Sequence, residues 1–191
     1  MFFFIAIAIL WLIHGYVAWR VIPTLGLLPS QALLGYILVF LLSLLPILPI
    51  LLRFSGNETK MIDRISLLGY TSLGFFVLSF FIFILKDFFT QVMTLFGYLF
   101  NSEQSIDDSK REFMKKGLTI GVIGISGTAS TYGFYSSRKG PTVINQDIFI
   151  ESLPDQFDNF LIAQISDLHV GPTIKIKYVE NVLKKIEHIN P

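Results

Sequence analysis

Asp167 and His169, set in Ile165-Ser166-Asp167-Leu168-His169-Val170-Gly171, are the residues of this chain whose types and spacing could do chemistry. A carboxylate oxygen and an imidazole nitrogen two positions apart can reach one cation. That pair suits Zn, Mn or Fe rather than Ca or Mg alone. The run before them, Asn159 to Ile165, is short, apolar and β-branched, which predicts a buried strand, and Gly171-Pro172 punctuates the turn that follows. The pair is therefore expected at a strand's carboxyl end, where α/β sheets present polar groups to ligands. By its residues alone D-x-H is also explained by an Asx turn after a strand.

The stretch Phe160 to Pro191, FLIAQISDLHVGPTIKIKYVENVLKKIEHINP, resembles the opening of the calcineurin-like metallophosphoesterase family, in which a strand ends in D-x-H and a helix follows. The layout of the whole chain is similar to that of the membrane-anchored bacterial members: several transmembrane helices, a basic stretch before the last, then "SDLH-G". The resemblance implies a hydrolase of phosphate esters with two divalent metal ions (Mn, Zn or Fe), Asp167 and His169 being ligands of the first. It also implies a β-sandwich flanked by helices, of which residues 138–191 would be the opening part. The family's later motifs, G-D-x-x-D and G-N-H-D/E, do not occur in this sequence. The chain accordingly reads as an N-terminal piece, with no complete catalytic set and no activity expected of it alone.

The chain has 191 residues, 52% of them hydrophobic, and a mean hydropathy of +0.62. Both exceed what soluble domains carry, so a membrane protein is expected, with the lipid bilayer as its first partner. A net charge of +1 without a basic patch interleaved with aromatics gives no nucleic-acid surface. The absence of cysteine excludes disulfides and thiolate metal sites.

Residues 1–137 read as a transmembrane region of about four helices, 2–19, 31–52, 65–85 and 117–135. A hydrocarbon core of ~30 Å needs about 20 apolar residues in a helix, which sets these lengths. The first lacks the basic n-region of a cleaved signal peptide and carries Trp11, Tyr16 and Trp19 as interfacial anchors. His14 is ionisable within it, but no acidic residue lies in another expected span, so a neutral His14 bonding a neighbouring helix is predicted. Pro46 and Pro49 predict a kink in the second span. Phe88 to Phe100 is too short to cross; it could prolong the third helix, and an interfacial helix is the preferred reading.

Ser109-Lys110-Arg111-Glu112-Phe113-Met114-Lys115-Lys116 resembles a twin-arginine export signal with Lys110 replacing the first arginine, and reads equally as a basic anchor at the cytoplasmic face. The fourth span is rich in Gly, Ser and Thr, and Gly117-x-x-x-Gly121 would allow close helix packing. Six basic residues on one face (Arg20, Lys86, Lys110, Arg111, Lys115, Lys116) stand against five on the other (Arg53, Lys60, Arg64, Arg138, Lys139). The cluster before the last span places the C-terminal part outside the cytoplasm of a multi-pass cell-membrane protein.

Beyond Gly140-Pro141, Val143 to Ile150 and Phe160 to Ile165 are expected strands, and Ile174 to about His188 a helix capped by Thr173. The fold class is thus a multi-pass α-helical membrane region followed by the start of an α/β phosphoesterase domain. The expected function is that of a membrane-anchored metal-dependent phosphoesterase acting on a phosphate ester, lipid-linked ones included. The alternative is a small multi-pass transport or assembly module with a vestigial C-terminal piece.

Overall fold

The structure, a computed structural model, describes residues 1–54, 59–100, 107–168, 170–171 and 174–189. Its regular elements are helical: α1 (Phe2–Val21), α2 (Pro29–Leu44), α3 (Ile47–Phe54), α4 (Lys60–Leu99), α5 (Asp108–Ser136) and α6 (Ile176–Ile189), with 3-10 turns at Ile22–Leu25 and Asp155–Phe157. The chain divides into two compact units, Met1–Tyr132 and Gly133–Pro191, with α5 running across the division.

Local sequence sets the breaks in the first unit. Pro23 opens the 3-10 turn after α1, and Gly26, at φ 63°, ends it in the left-handed conformation. Pro29 starts α2, where a missing N–H costs nothing, and the Gln31 side-chain oxygen accepts from the Leu28 N–H at 3.0 Å. Pro46 divides the second apolar stretch into α2 and α3, so the expected kink is a break at Leu45-Pro46, and Pro49 sits in the first turn of α3, where it is tolerated. Thr59 caps α4, its hydroxyl accepting from the Ile62 N–H at 3.3 Å.

Three helical stretches, Phe3–Leu25, Pro29–Leu52 and Lys60–Leu99, are long and apolar enough to cross a membrane. α5 is long as well, but its apolar residues are diluted by Gly, Ser and Thr. α1 packs on both α2 and α4, and α3 packs on α4. The core is Val17, Phe76, Phe83 and Val122, flanked by Ile13, Tyr16, Val39 and Phe80. α1 and α4 run parallel. His14 meets Phe76 with ring centroids 4.2 Å apart, Tyr16 meets Phe80 at 5.3 Å, and Arg20 meets Asp87.

Small hydroxyl residues space the helices. Ser43, Ser66, Ser79, Thr119 and Ser126 are all buried. Ser43 and Ser66 donate to carbonyls of their own helices, Phe40 at 2.6 Å and Ile62 at 2.7 Å, which satisfies them without a partner helix. Leu33, Leu34, Leu38 and Leu41 of α2 stay on the outside, as a lipid-facing surface requires.

In the second unit the expected α/β start is overturned: among the described residues there is no strand, and the architecture is all helical. Val143 to Ile150 and Phe160 to Ile165 have no ladder, and their side chains are open, Phe149 being 97% and Ile162 78% exposed. β-branched composition gives a local preference only; a strand is held by cross-strand hydrogen bonds and packing on one face, and neither is present here. α6 does form, from Ile176 to Ile189, with Val182 buried and the Lys185 ammonium donating to the Pro141 carbonyl. Its expected cap, Thr173, lies outside the described residues.

Candidate functional site

Asp167 does not stand at the end of a strand. It lies exposed in an irregular loop with φ 56°, the left-handed region that Asp and Asn tolerate better than other residues with a Cβ. Two backbone bonds shape the turn that follows: Val170 N–H donates to the Leu168 carbonyl at 2.6 Å, and Gly171 N–H to that of Ile174 at 3.0 Å. His169 lies outside the described residues.

A carboxylate and an imidazole are donors of the type that holds Zn, Mn or Fe, so the pair fits part of such a centre. A tetrahedral or octahedral site needs more. Among the described residues no group of three or more His, Cys, Asp or Glu is gathered to hold a metal ion.

A second constellation sits in the membrane unit, between α1 and α4. The Arg20 guanidinium donates to Asp87 Oδ2, the Tyr16 hydroxyl donates to the same oxygen, and Lys86 Nζ stands 2.8 Å from Asp87 Oδ1. Two cations thus share one carboxylate. The Arg20 guanidinium also lies over the Trp19 ring, 4.5 Å from its centroid, and 5.6 Å from that of Tyr16. The Arg20 side chain is 32% exposed and that of Lys86 27%, against 17% for Asp87. The carboxylate is therefore the covered member and the cations the presented ones. Arg20 Nε is buried without a partner among the described residues.

His14 behaves differently from expectation. Its Nδ1 donates to the Leu10 carbonyl of its own helix at 2.8 Å, rather than to a neighbouring helix, and Nε2 is buried without a partner among the described residues. The acidic residue absent from the expected spans is Asp87, and its partners are Arg20, Tyr16 and Lys86. The cluster is not legible from the sequence alone, because two adjacent charges at Lys86-Asp87 have the pattern of a span's end. Phe88 to Phe100, with no proline, continues the helix instead, and α4 carries the pair inside one unbroken element. That uninterrupted helical composition was the available signal.

Gly117 and Gly121 are expected at a helix contact, but a Cβ at either would meet nothing within 4 Å among the described residues.

The chain is similar to a zebrafish (Danio rerio) protein described as "Transmembrane protein with metallophosphoesterase domain", at 24% identity over 128 residues. The similarity takes in 66% of this chain, and the chain spans 28% of that relative's length. No family model matches the sequence, and no solved structure matches it. Apolar helices long enough to span and a transmembrane relative together support a membrane location.

Proposed function

We propose that this chain belongs to a membrane-anchored, metal-dependent phosphoesterase in which Asp167 and His169 are ligands of one metal. The observation that carries the reading is the coincidence, in one chain, of three candidate membrane spans, the "SDLH-G" motif and similarity to a transmembrane relative whose description includes a metallophosphoesterase domain. In such a centre divalent ions polarise the phosphate and lower the pKa of water. Asp167 and His169 would hold such an ion through a carboxylate oxygen and an imidazole nitrogen. The left-handed backbone at Asp167 is compatible with a role that re-aims a side chain out of a loop. The substrate class is a phosphate ester, and the tether favours lipid-linked ones. The basic run Lys110 to Lys116 before the last apolar segment favours an extracytoplasmic C-terminal part.

The test uses the full translation product of the gene, purified in detergent. Manganese binding and bis-p-nitrophenyl phosphate hydrolysis are compared for wild type, Asp167→Ala and His169→Ala. Both variants are expected to lose metal and turnover. Unchanged binding and turnover in both would sink the assignment.

The Arg20–Asp87 pair favours a second reading, in which the membrane unit is itself a transport or assembly module, since paired charges within spans mark substrate paths. Its place weighs against transport. Arg20 is the penultimate residue of α1, whereas transport sites gather near the bilayer midplane.

A further inference from the structure

Arg20 stands 17 residues beyond Phe3, the first residue of its candidate span, which is about 26 Å along a helix rising 1.5 Å per residue. The hydrocarbon core is ~30 Å thick, so the Arg20 backbone lies within about one helical turn of its edge, and the long side chain carries the guanidinium toward one leaflet's headgroups. Trp19 and Tyr16 beside it are the aromatic types of that layer. At this level the cluster presents two partly exposed cationic side chains, covers the one carboxylate and carries a net charge of +1. A surface of donors and positive charge at headgroup depth is built for an anion that arrives from the side, within the bilayer. Phosphate is the anion found there, and a guanidinium fork matches its oxygens.

We propose that Arg20 and Lys86, held by Asp87 and Tyr16 and backed by Trp19, form a binding site for the phosphate group of an anionic lipid. Asp87 is the internal anion that orients Arg20, while the Arg20 and Lys86 side chains stay partly exposed toward the lipid. The site is independent of the metal motif at Asp167 and stands or falls separately from it.

Trp19 reports on the site directly, because Arg20 lies over its ring. The sequence holds two tryptophans, so Trp11→Phe leaves Trp19 as the sole tryptophan, which is excited selectively at the red edge of the absorption band. The full chain with that change is placed in phosphatidylcholine vesicles containing brominated phosphatidic acid or, separately, brominated phosphatidylcholine. The lipid-phosphate site predicts quenching that favours the phosphatidic acid by about fivefold, the factor attached to one basic residue at an anionic surface. Lys86→Gln, which leaves the Arg20–Asp87 pair standing, is expected to bring the preference close to one. Asp87→Asn removes the competing anion and is expected to keep or raise it, whereas Lys60→Gln, at the far end of α4, leaves it unchanged.

Equal quenching by the two lipids, or the same preference in Lys86→Gln as in wild type, would overturn the proposal and leave the cluster a clamp between α1 and α4. Loss of the preference when millimolar inorganic phosphate is added would overturn the lipid source and assign the site to free phosphate. Should Asp87→Asn fail to fold by circular dichroism, the Lys86→Gln arm decides alone.

Discussion

A Cβ on Gly69 of α4 would lie 2.6 Å from the Leu45 carbonyl oxygen and 2.9 Å from the Pro46 nitrogen, at the break between α2 and α3. The two backbones touch there, and the contact explains both residues at once. Pro46 follows the end of α2, and only a residue without a side chain lets α4 approach the Leu45 carbonyl this closely.

Gly69→Ala is therefore expected to destabilise the membrane unit by about 1–3 kcal/mol, the range for forcing atoms into a filled site. Gly74, five residues on in the same helix, is the control, since a Cβ there meets nothing within 4 Å among the described residues. Gly74→Ala should gain roughly 0.5–1 kcal/mol from helix propensity. Denaturation midpoints of the two variants in micelles check the pair, and a neutral Gly69→Ala would refute the backbone contact.

Arg20 and Asp87 are coupled across α1 and α4, but Lys86 also holds Asp87. Arg20→Gln leaves the carboxylate with one cation, whereas Asp87→Leu leaves two cations with no anion. In a neutral detergent the second change is expected to cost more than the first. A double-mutant cycle should give a coupling of about 1–2 kcal/mol, between the values for exposed and for buried pairs. Equal losses in the two single variants would show that Lys86 does not share the site.

Much of the membrane unit was legible because apolar runs of about 20 residues admit few alternatives in a helix or a bilayer. Phe2 to Trp19 and Gln31 to Leu52 are apolar runs of that kind, and each overlaps a helical stretch long and apolar enough to cross a membrane. Lys86-Asp87 was misread, since two adjacent charges look like the end of a span when their partner, Arg20, is 67 positions away. The second unit shows the opposite error. Val143 to Ile150 and Phe160 to Ile165 have the composition of strands, but a ladder is a pairing between segments that no single segment encodes. α6 was legible because a 3.6-residue apolar period, Val179, Val182 and Ile186, is contained within the helix itself.

Glu112 supplies the pH dependence. Its hydrogen bond to Lys116, 2.8 Å away one turn along α5, holds its carboxyl below the ordinary Glu range. A depressed carboxylate pKa contributes helix stability that is present above the unfolded pKa and fades as pH falls through the folded one. The pair is exposed, so the contribution is small and screened by salt. Titration of Glu112 by NMR should give a midpoint below that of an unpaired Glu, and Lys116→Gln should bring it back up. A midpoint insensitive to Lys116→Gln would remove the pairing as its cause.

The last prediction separates what Asp167 does as a ligand from what it does as a piece of backbone. At φ 56° an alanine is strained, whereas asparagine and glycine accept the left-handed conformation. Asp167→Ala alone would therefore confound loss of a carboxylate with a rearranged loop. Asp167→Asn keeps the shape and the turn-forming side chain while removing the charge, and Asp167→Gly keeps the backbone while removing the side chain altogether. If the carboxylate is a metal ligand, both should lose manganese binding in the full translation product, to a similar degree, with stabilities within about 0.5 kcal/mol of wild type, the usual range for exposed positions. If Asp167 serves only the turn, Asn and Gly should both retain binding while Ala disturbs it. The ordering among three substitutions at one position thus distinguishes a ligand from a loop residue, which no single substitution there can do.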